Sequence, residues 1–350
     1  MFFETRFAGL ERGRLFLFIF LHKCYNIPMH RIKVAVLRGG PSNEYEVSLK
    51  TGKSVLENLL DKYIPTDVLI DKKGVWHIDG VPTTPAKVFQ QNEVIFNAMH
   101  GEYGEDGKVQ QLFDKFGVKY TGSKALASAI GMNKILAKEI FVKNKIKTPV
   151  YKVVKKGVDL SEISKKLFKS FPMPCIIKPH GSGSSVGVAI AKSISELELA
   201  LENALKFSDN AIVEEFISGK EGTCGVVEDF RGMKLSPLPP VEIVKPVTSG
   251  FFDYSAKYSG QSKEICPGNF SEKEKKQMQD MAVKAHVVLG LRHYSRSDFI
   301  VNPKRGVYIL EVNTLPGLTK ESLLPKSLKA VGCTLSQFLD HIIILALSGK

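Results

Sequence analysis

The sequence has no Cys-x-x-Cys pair, a single tryptophan, and no apolar stretch near the roughly 20 residues that a membrane-spanning helix needs. Its five cysteines, Cys24, Cys175, Cys224, Cys266 and Cys333, are odd in number and spaced as neither a disulfide framework nor a structural zinc site would require. Reduced thiols in a cytoplasm are the simplest state. There is no internal repeat and no low-complexity tract, which argues against solenoids, propellers and linkers. Zinc-finger, basic-zipper and RNA-recognition signatures are absent too. The formal charge of +13 is therefore the one feature that could suggest nucleic acid. Its lysines and arginines are scattered and locally offset by Asp and Glu, which favours solubility over a nucleic-acid surface.

What is present is a globular composition, 43% hydrophobic and 24% charged over 350 residues, long enough for two or three domains. The apolar run Leu15–Leu21 has Arg12 and Arg14 before it and Lys23 after it. It is too short to span a bilayer and no small-residue cleavage site succeeds it. We expect Met29 to be the natural start, with residues 1–28 an over-extended reading frame, so that 1–30 is an extension outside the fold.

The first clear strand is Lys33–Leu37, running into Gly39-Gly40. A helix over about Ser48–Leu60 and buried strands at Asp67–Ile70 and Val94–Met99 make a small open α/β sheet up to about Ser123. Ligands gather at the carboxyl ends of such strands, where Gly39–Glu46 and His100–Gly107 fall. Residues 123–145 read as helical, with Lys134 inside. Pro149–Val154, Cys175–Lys178, Val186–Ala191 and Ala211–Ile217 read as strands, the last ending at a hinge, Ser218-Gly219. Beyond a helix near Ser271–Leu289, a hairpin joins Ser297–Val301 to Val307–Asn313, and Thr334–Leu347 forms a terminal helix.

Four constellations carry chemistry. Lys178-Pro-His-Gly-Ser-Gly-Ser-Ser-Val-Gly187 is a Gly/Ser-rich hairpin tip whose backbone N–H groups can approach phosphate oxygens. It is neither a Walker A loop nor a dinucleotide fingerprint, because the next element is a strand and not a helix. On composition alone it could equally be a mobile surface hairpin. Glu311 and Asn313, two apart in a strand, face one side; pairing Val301 with Tyr308 would set Asp298 opposite Glu311, with Leu310 and Val312 turned to the core. Two carboxylates and an amide oxygen suit Mg²⁺, though isolated charges on a sheet usually face solvent. Glu214–Glu221 places an apolar and acidic strand end at a hinge, a composition that suits an adenine slot or a plain edge strand. Arg296 shares a face with Asp298, where it could stabilise developing negative charge or simply pair with a carboxylate.

Taken together, the phosphate hairpin, the hinge and the Asp…Glu-x-Asn set resemble the ATP-grasp superfamily. The segments Gly39-Gly-Pro-Ser-Asn-Glu-Tyr-Glu-Val-Ser48, His100-Gly101…Gly104-Glu-Asp-Gly107, Tyr294–Phe299 and Glu311–Gly317 resemble signatures of D-alanine–D-alanine ligases, over about Ile32 to the end. The resemblance implies an α/β (mixed α+β) ATP-grasp fold. A small amino-terminal domain (31–122) would precede a central lobe (123–217) and a carboxyl-terminal lobe (218–350) that clamp the nucleotide. It implies an ATP-dependent, ADP-forming ligase of peptidoglycan synthesis that joins two D-alanines through D-alanyl phosphate, with two Mg²⁺ ions (or Mn²⁺), in a cytoplasmic homodimer that binds no nucleic acid and no membrane.

Residue by residue, the resemblance assigns Lys134 and Lys178 to ATP phosphates, the 181–187 loop with Ser185 over them, Glu214, Glu215, Phe216 and Ile217 to adenine, and Glu221 to ribose. Asp298, Glu311 and Asn313 would bind the metals. Glu44 would hold the first D-alanine's ammonium, with His100 beside it. Arg296 and the Gly317 N–H would form the oxyanion site, and Ser322 and Leu323 would receive the second D-alanine's carboxylate. Phe251–Tyr258 resembles the family's closing loop, in which Lys257 would reach the γ-phosphate and Tyr258 would join Glu44 and Ser184 in a hydrogen-bond network. The Lys257-Tyr258 pair favours an amine over D-lactate as second substrate, with D-serine open. Phe252 stands where tyrosine is common, and His180-Gly181-Ser182 is variable among relatives. A ligase with another acceptor, or a non-catalytic nucleotide-binding regulator, is the alternative.

Overall fold

The computed structural model describes residues 31–181, 187–244 and 263–349. The extension 1–30, Ser184, Ser185, Lys257 and Tyr258 lie outside the described residues.

The amino-terminal sheet has the order β4-β3-β2-β1-β5. Its central strand β1 (Ile32–Gly39) runs parallel to β2 (Tyr63–Ile70) and β5 (Val94–Asn97). Val34 to Leu37 are wholly buried, as a parallel strand covered on both faces requires. Helix α1 (Tyr45–Asn58) covers one face, and α2 (Pro85–Gln91) and α3 (Lys108–Phe116) come later in this domain. An antiparallel hairpin, β3 (Trp76–Ile78) and β4 (Val81–Thr83), extends the edge; strands of three residues are too short to show alternation in the sequence.

The expected single helix over 123–145 is two: α4 (Ala125–Met132) and α5 (Lys134–Lys143). Asn133 divides them, leaving the helical region and accepting the Ile135 and Leu136 N–H groups, both at 3.1 Å, as an N-cap. A four-stranded antiparallel sheet, β6-β9-β7-β8, then combines β6 (Tyr151–Lys155), β7 (Cys175–Pro179), β8 (Ala189–Ala191) and β9 (Asn210–Glu215). The amphipathic helices α6 (Leu160–Ser170) and α7 (Ile194–Phe207) pack together on it.

The third sheet is built on β10 (Lys220–Phe230), which pairs with β11 (Met233–Pro237), β12 (Val241–Val244) and β14 (Tyr294–Asn302). Strand β13 (Lys263–Ile265) pairs with β12, and β15 (Gly306–Asn313) with β14. Helix α8 (Glu272–Val288) starts in a capping box of Ser271 and Glu274 and packs on this sheet. Ala127, Ala137 and Phe141 of α4 and α5 share its core with Val307, Ile309 and Val312. The chain ends in α9 (Leu323–Ala330) and α10 (Leu335–Leu347). These return to the amino-terminal sheet, where Phe338, Leu339, Ile342 and Ile343 pack with Val34, Val36 and Phe96. First and last segments thus share one core, the contact that holds the amino-terminal domain against the rest.

One expected register is corrected. Val301 pairs with Val307, not Tyr308, yet Asp298 still faces Glu311. Leu310 is the extra residue of a β-bulge between these pairs. The bulge shifts the alternation by one: Val307, Ile309 and Val312 enter the core, while Tyr308 and Leu310 pack with Ile217 and Ile300. Leu310, expected in the core, therefore lines a cleft between the sheets.

Candidate active site

This cleft, of about 1680 Å³, opens where the three sheets meet. It is lined by every described residue with a single-residue assignment above; Gly181 and Gly187, the described ends of the 181–187 loop, are not among its lining. Glu44 and His100 come from the amino-terminal domain, and Lys134 from α5. Lys178, Glu214, Glu215, Phe216 and Ile217 come from the middle sheet and hinge. Glu221, Arg296, Asp298, Glu311 and Asn313 come from the third sheet, and Gly317, Ser322 and Leu323 from the turn and helix after β15.

The cleft has an apolar end and an ionic centre. Ile176, Ile217, Ile300 and Leu310 wall the first. Beside them Lys178 Nζ lies 2.8 Å from Glu214 Oε2, and Lys138 Nζ lies 3.0 Å from Glu214 Oε1. Burial alone would push Glu214 up and Lys178 down. The flanking ammoniums instead lower the Glu214 pKa, and the Glu214 and Glu311 carboxylates raise that of Lys178. Both groups stay charged. The Lys134 N–H donates to the His180 carbonyl at 3.3 Å, joining the start of α5 to the stem of the Gly/Ser-rich hairpin. The Glu215 carboxylate is already engaged: Arg305 grips it with two hydrogen bonds of 2.9 and 3.1 Å, and the Val150 N–H donates to it at 3.1 Å. The tip of the β14–β15 hairpin is thereby clamped to the hinge.

In the ionic centre, Arg296 donates two hydrogen bonds to Asp298, at 2.8 and 2.9 Å. Asn313 Nδ2 donates to Asp298 Oδ2 at 3.1 Å, and Lys134 Nζ lies 3.1 Å from Glu311 Oε2. No group of three or more His, Cys, Asp or Glu residues with metal-binding placement occurs among the described residues. The donor set is two carboxylates and an amide oxygen, all hard ligands on one face. It fits a Mg²⁺ ion that completes its shell with phosphate oxygens and water, as this ion usually does.

The amino-terminal wall holds a residue to which the sequence reading gave no role. Glu105, inside the His100–Gly107 segment, is half-buried and accepts the Gly101 N–H at 2.7 Å and the Leu315 N–H at 3.2 Å. It ties this turn to the Thr314–Gly317 turn that follows β15. Burial, with the nearby Glu44 charge, pushes its carboxyl up to about 8. His100 is buried, and burial together with the Arg296 charge lowers it to about 4. Its Nε2 meets Thr51 Oγ1 at 2.8 Å. Gly101 makes the close approach feasible: at φ +73° its missing Cβ would sit 2.3 Å from Ser42 Oγ and 2.9 Å from Glu44 Oε2. Ser322 begins α9 and its Oγ accepts the Thr319 N–H at 3.1 Å.

Two sheet-bearing lobes closed on a lysine-rich cleft, with a carboxylate–amide set on the floor, define an enzyme of the ATP-grasp class. The family model described as D-ala D-ala ligase N-terminus matches residues 33–88 and 79–123, and D-ala D-ala ligase C-terminus matches 140–344. The chain belongs to the D-alanine–D-alanine ligase family. It is 39% identical to the D-alanine–D-alanine ligase of Geobacter sulfurreducens over 319 residues, 90% of this chain and 94% of that one. The ATP-complexed D-alanine–D-alanine ligase of Bacillus anthracis superposes with a TM-score of 0.75 at 30% identity, covering 91% of this chain and 98% of that one. The VanG D-Ala:D-Ser ligase of Enterococcus faecalis superposes at 0.77, also at 30% identity, covering 90% and 99%.

Proposed function

We propose that this chain joins two D-alanines into D-alanyl-D-alanine for peptidoglycan precursors, consuming ATP and releasing ADP and phosphate. Family membership is the main support. The structural observation that carries the reading is the cleft in which Glu44 and His100, the Lys134 and Lys178 ammoniums, and the Asp298–Glu311–Asn313 set converge from separate parts of the chain.

In the first step, the carboxylate of one D-alanine attacks the γ-phosphorus and ADP departs, leaving D-alanyl phosphate. Glu44 holds the substrate's ammonium, and Lys134 and Lys178 offset charge on the phosphates. Phe216 and Ile217 enclose the adenine with the Glu214 carboxylate and the Glu215 backbone, and Glu221 takes the ribose hydroxyls. Asp298, Glu311 and Asn313 would hold Mg²⁺ (two ions, with Mn²⁺ as a substitute), which neutralises charge on the transferring phosphoryl group when bound. In the second step, the amine of the other D-alanine attacks the acyl carbon, its proton is lost and phosphate leaves. Arg296 and the Gly317 N–H stabilise the tetrahedral oxyanion, and Ser322 and Leu323 seat the incoming carboxylate. Ser184, Ser185, Lys257 and Tyr258 complete the covering of the site in this reading, on the strength of the sequence resemblance.

The division into 31–122, 123–217 and 218–350, the homodimer and the cytoplasmic location belong to the same proposal. No single helix among the described residues is long and apolar enough to cross a membrane. D-serine as the second substrate is the rival acceptor, favoured by the likeness to the D-Ala:D-Ser ligase. Product analysis with D-alanine, D-serine and D-lactate offered together separates the acceptors. D-alanyl-D-alanine as the dominant product supports the proposal, and a mixed dipeptide or ester overturns it.

A further inference from the structure

Lys138 does not line the cleft, and nothing in the sequence gave it a task. It sits one helical turn after Lys134, beside Ala137 and Phe141 on the buried side of α5, where an apolar residue would fill the space. Its side chain is only 1% exposed. Burying an ammonium is costly unless it is paired and hydrogen-bonded. Lys138 is both: Nζ lies 3.0 Å from Glu214 Oε1, donates to Thr148 Oγ1 at 2.7 Å, and lies 5.6 Å from the Tyr151 ring centre.

The arrangement is a triad. Glu214 is held through one oxygen by Lys138, from behind, and through the other by Lys178, from the cleft side. Burial lowers the Lys138 pKa against the opposing pull of Glu214; with Lys138 protonated, one carboxylate between two ammoniums carries a net charge of +1. Without Lys138, Glu214 and Lys178 would form a neutral pair. A polyphosphate would then have to compete with Glu214 for the Lys178 ammonium in a poorly screened interior.

We propose that Lys138 is a positioning residue that compensates Glu214 from the protein side and so keeps the Lys178 charge available to the nucleotide's phosphates. The inference rests on the ATP-dependent reading above. It makes Lys138 matter more for the phosphates than for the nucleoside, because Lys178 still holds Glu214 beside the adenine through its other oxygen, a split that loss of packing would not produce.

The test is equilibrium binding by calorimetry, with ADP and adenosine as separate probes and no D-alanine present. Lys138→Met is expected to weaken ADP binding about tenfold or more, the scale of a lost charge-assisted contact. Adenosine binding should stay within about twofold, and Lys138→Arg should recover most of the ADP affinity. Thr148→Val leaves the charge in place and loosens its anchor; it should weaken ADP binding a few fold. A folded Lys138→Met protein that binds ADP like the wild type, or loses adenosine and ADP equally, overturns the inference. If that variant does not fold, unchanged ADP affinity in Thr148→Val overturns it instead. A wild-type protein that binds neither ATP nor ADP would overturn the ATP-dependent reading itself, a result distinct from any change between variants.

Discussion

Asp298 and Glu311 stand directly opposite each other on antiparallel strands, and the bulge at Leu310 keeps them in step while the pairs beyond it are shifted by one residue. The same bulge sets an apolar side chain and a carboxylate, adjacent in the chain, along one cleft. The apolar wall and the carboxylate proposed to bind Mg²⁺ therefore come from consecutive residues.

Glu311→Gln removes one of the two carboxylates and the partner of Lys134. ADP release in the presence of D-alanine and Mg²⁺ should fall about a hundredfold or more, the scale seen when a group that stabilises transition-state charge is lost. Near-normal release would remove Glu311 from the metal set.

Leu310→Ala leaves the ionic centre alone and thins the apolar wall. Partial loss of a burial worth about 1.5–3 kcal/mol for a full leucine side chain should raise KM for ATP several fold with kcat little changed. Steady-state kinetics at saturating D-alanine reads this, and an unaltered KM would place the nucleoside elsewhere.

Stability should depend on pH from two sides. His100 has its folded pKa lowered to about 4, so the unfolded chain binds its proton first, and stability is lost as pH falls from about 6.5 toward 4. Glu105 has its folded pKa raised to about 8, so here the folded chain holds the extra proton, and stability declines as pH rises from about 4.5 toward 8. Melting temperatures should thus pass through a maximum. Glu105→Gln should flatten the alkaline limb in particular; a variant that tracks the wild type across that limb would show that Glu105 ionises normally.

Ile342 is wholly buried between α10 and the amino-terminal sheet. Ile342→Ala should destabilise the fold by about 2–5 kcal/mol, measured by urea unfolding. A loss below about 1 kcal/mol would mean that the helix does not dock on this sheet.

Much of this was legible in the sequence where side-chain chemistry and period coincide. Glu311 and Asn313 share a face by strand alternation, and the run Val34–Leu37 marks a strand buried on both sides. Strict alternation puts Leu310 on the core face, because it cannot register one inserted residue. Helical periodicity continues on both sides of Asn133 and hides the break there, although Asn before a lysine-led helix is a capping signal. Glu105 and Lys138 passed unnoticed for a different reason. Their environment is made by contacts distant in sequence, Leu315 for one and Glu214 for the other. Helical spacing did hold a hint for Lys138, which lies between the buried Ala137 and Phe141.

If this cleft activates the carboxylate of a D-amino acid with ATP, ADP release must depend on the amino acid's configuration. ADP release measured with D-alanine and with L-alanine as the sole amino acid tests it most directly. ATP- and Mg²⁺-dependent ADP release is expected with D-alanine, accompanied by stoichiometric dipeptide, and only background with L-alanine. Equal release with both, or none with D-alanine, would contradict it.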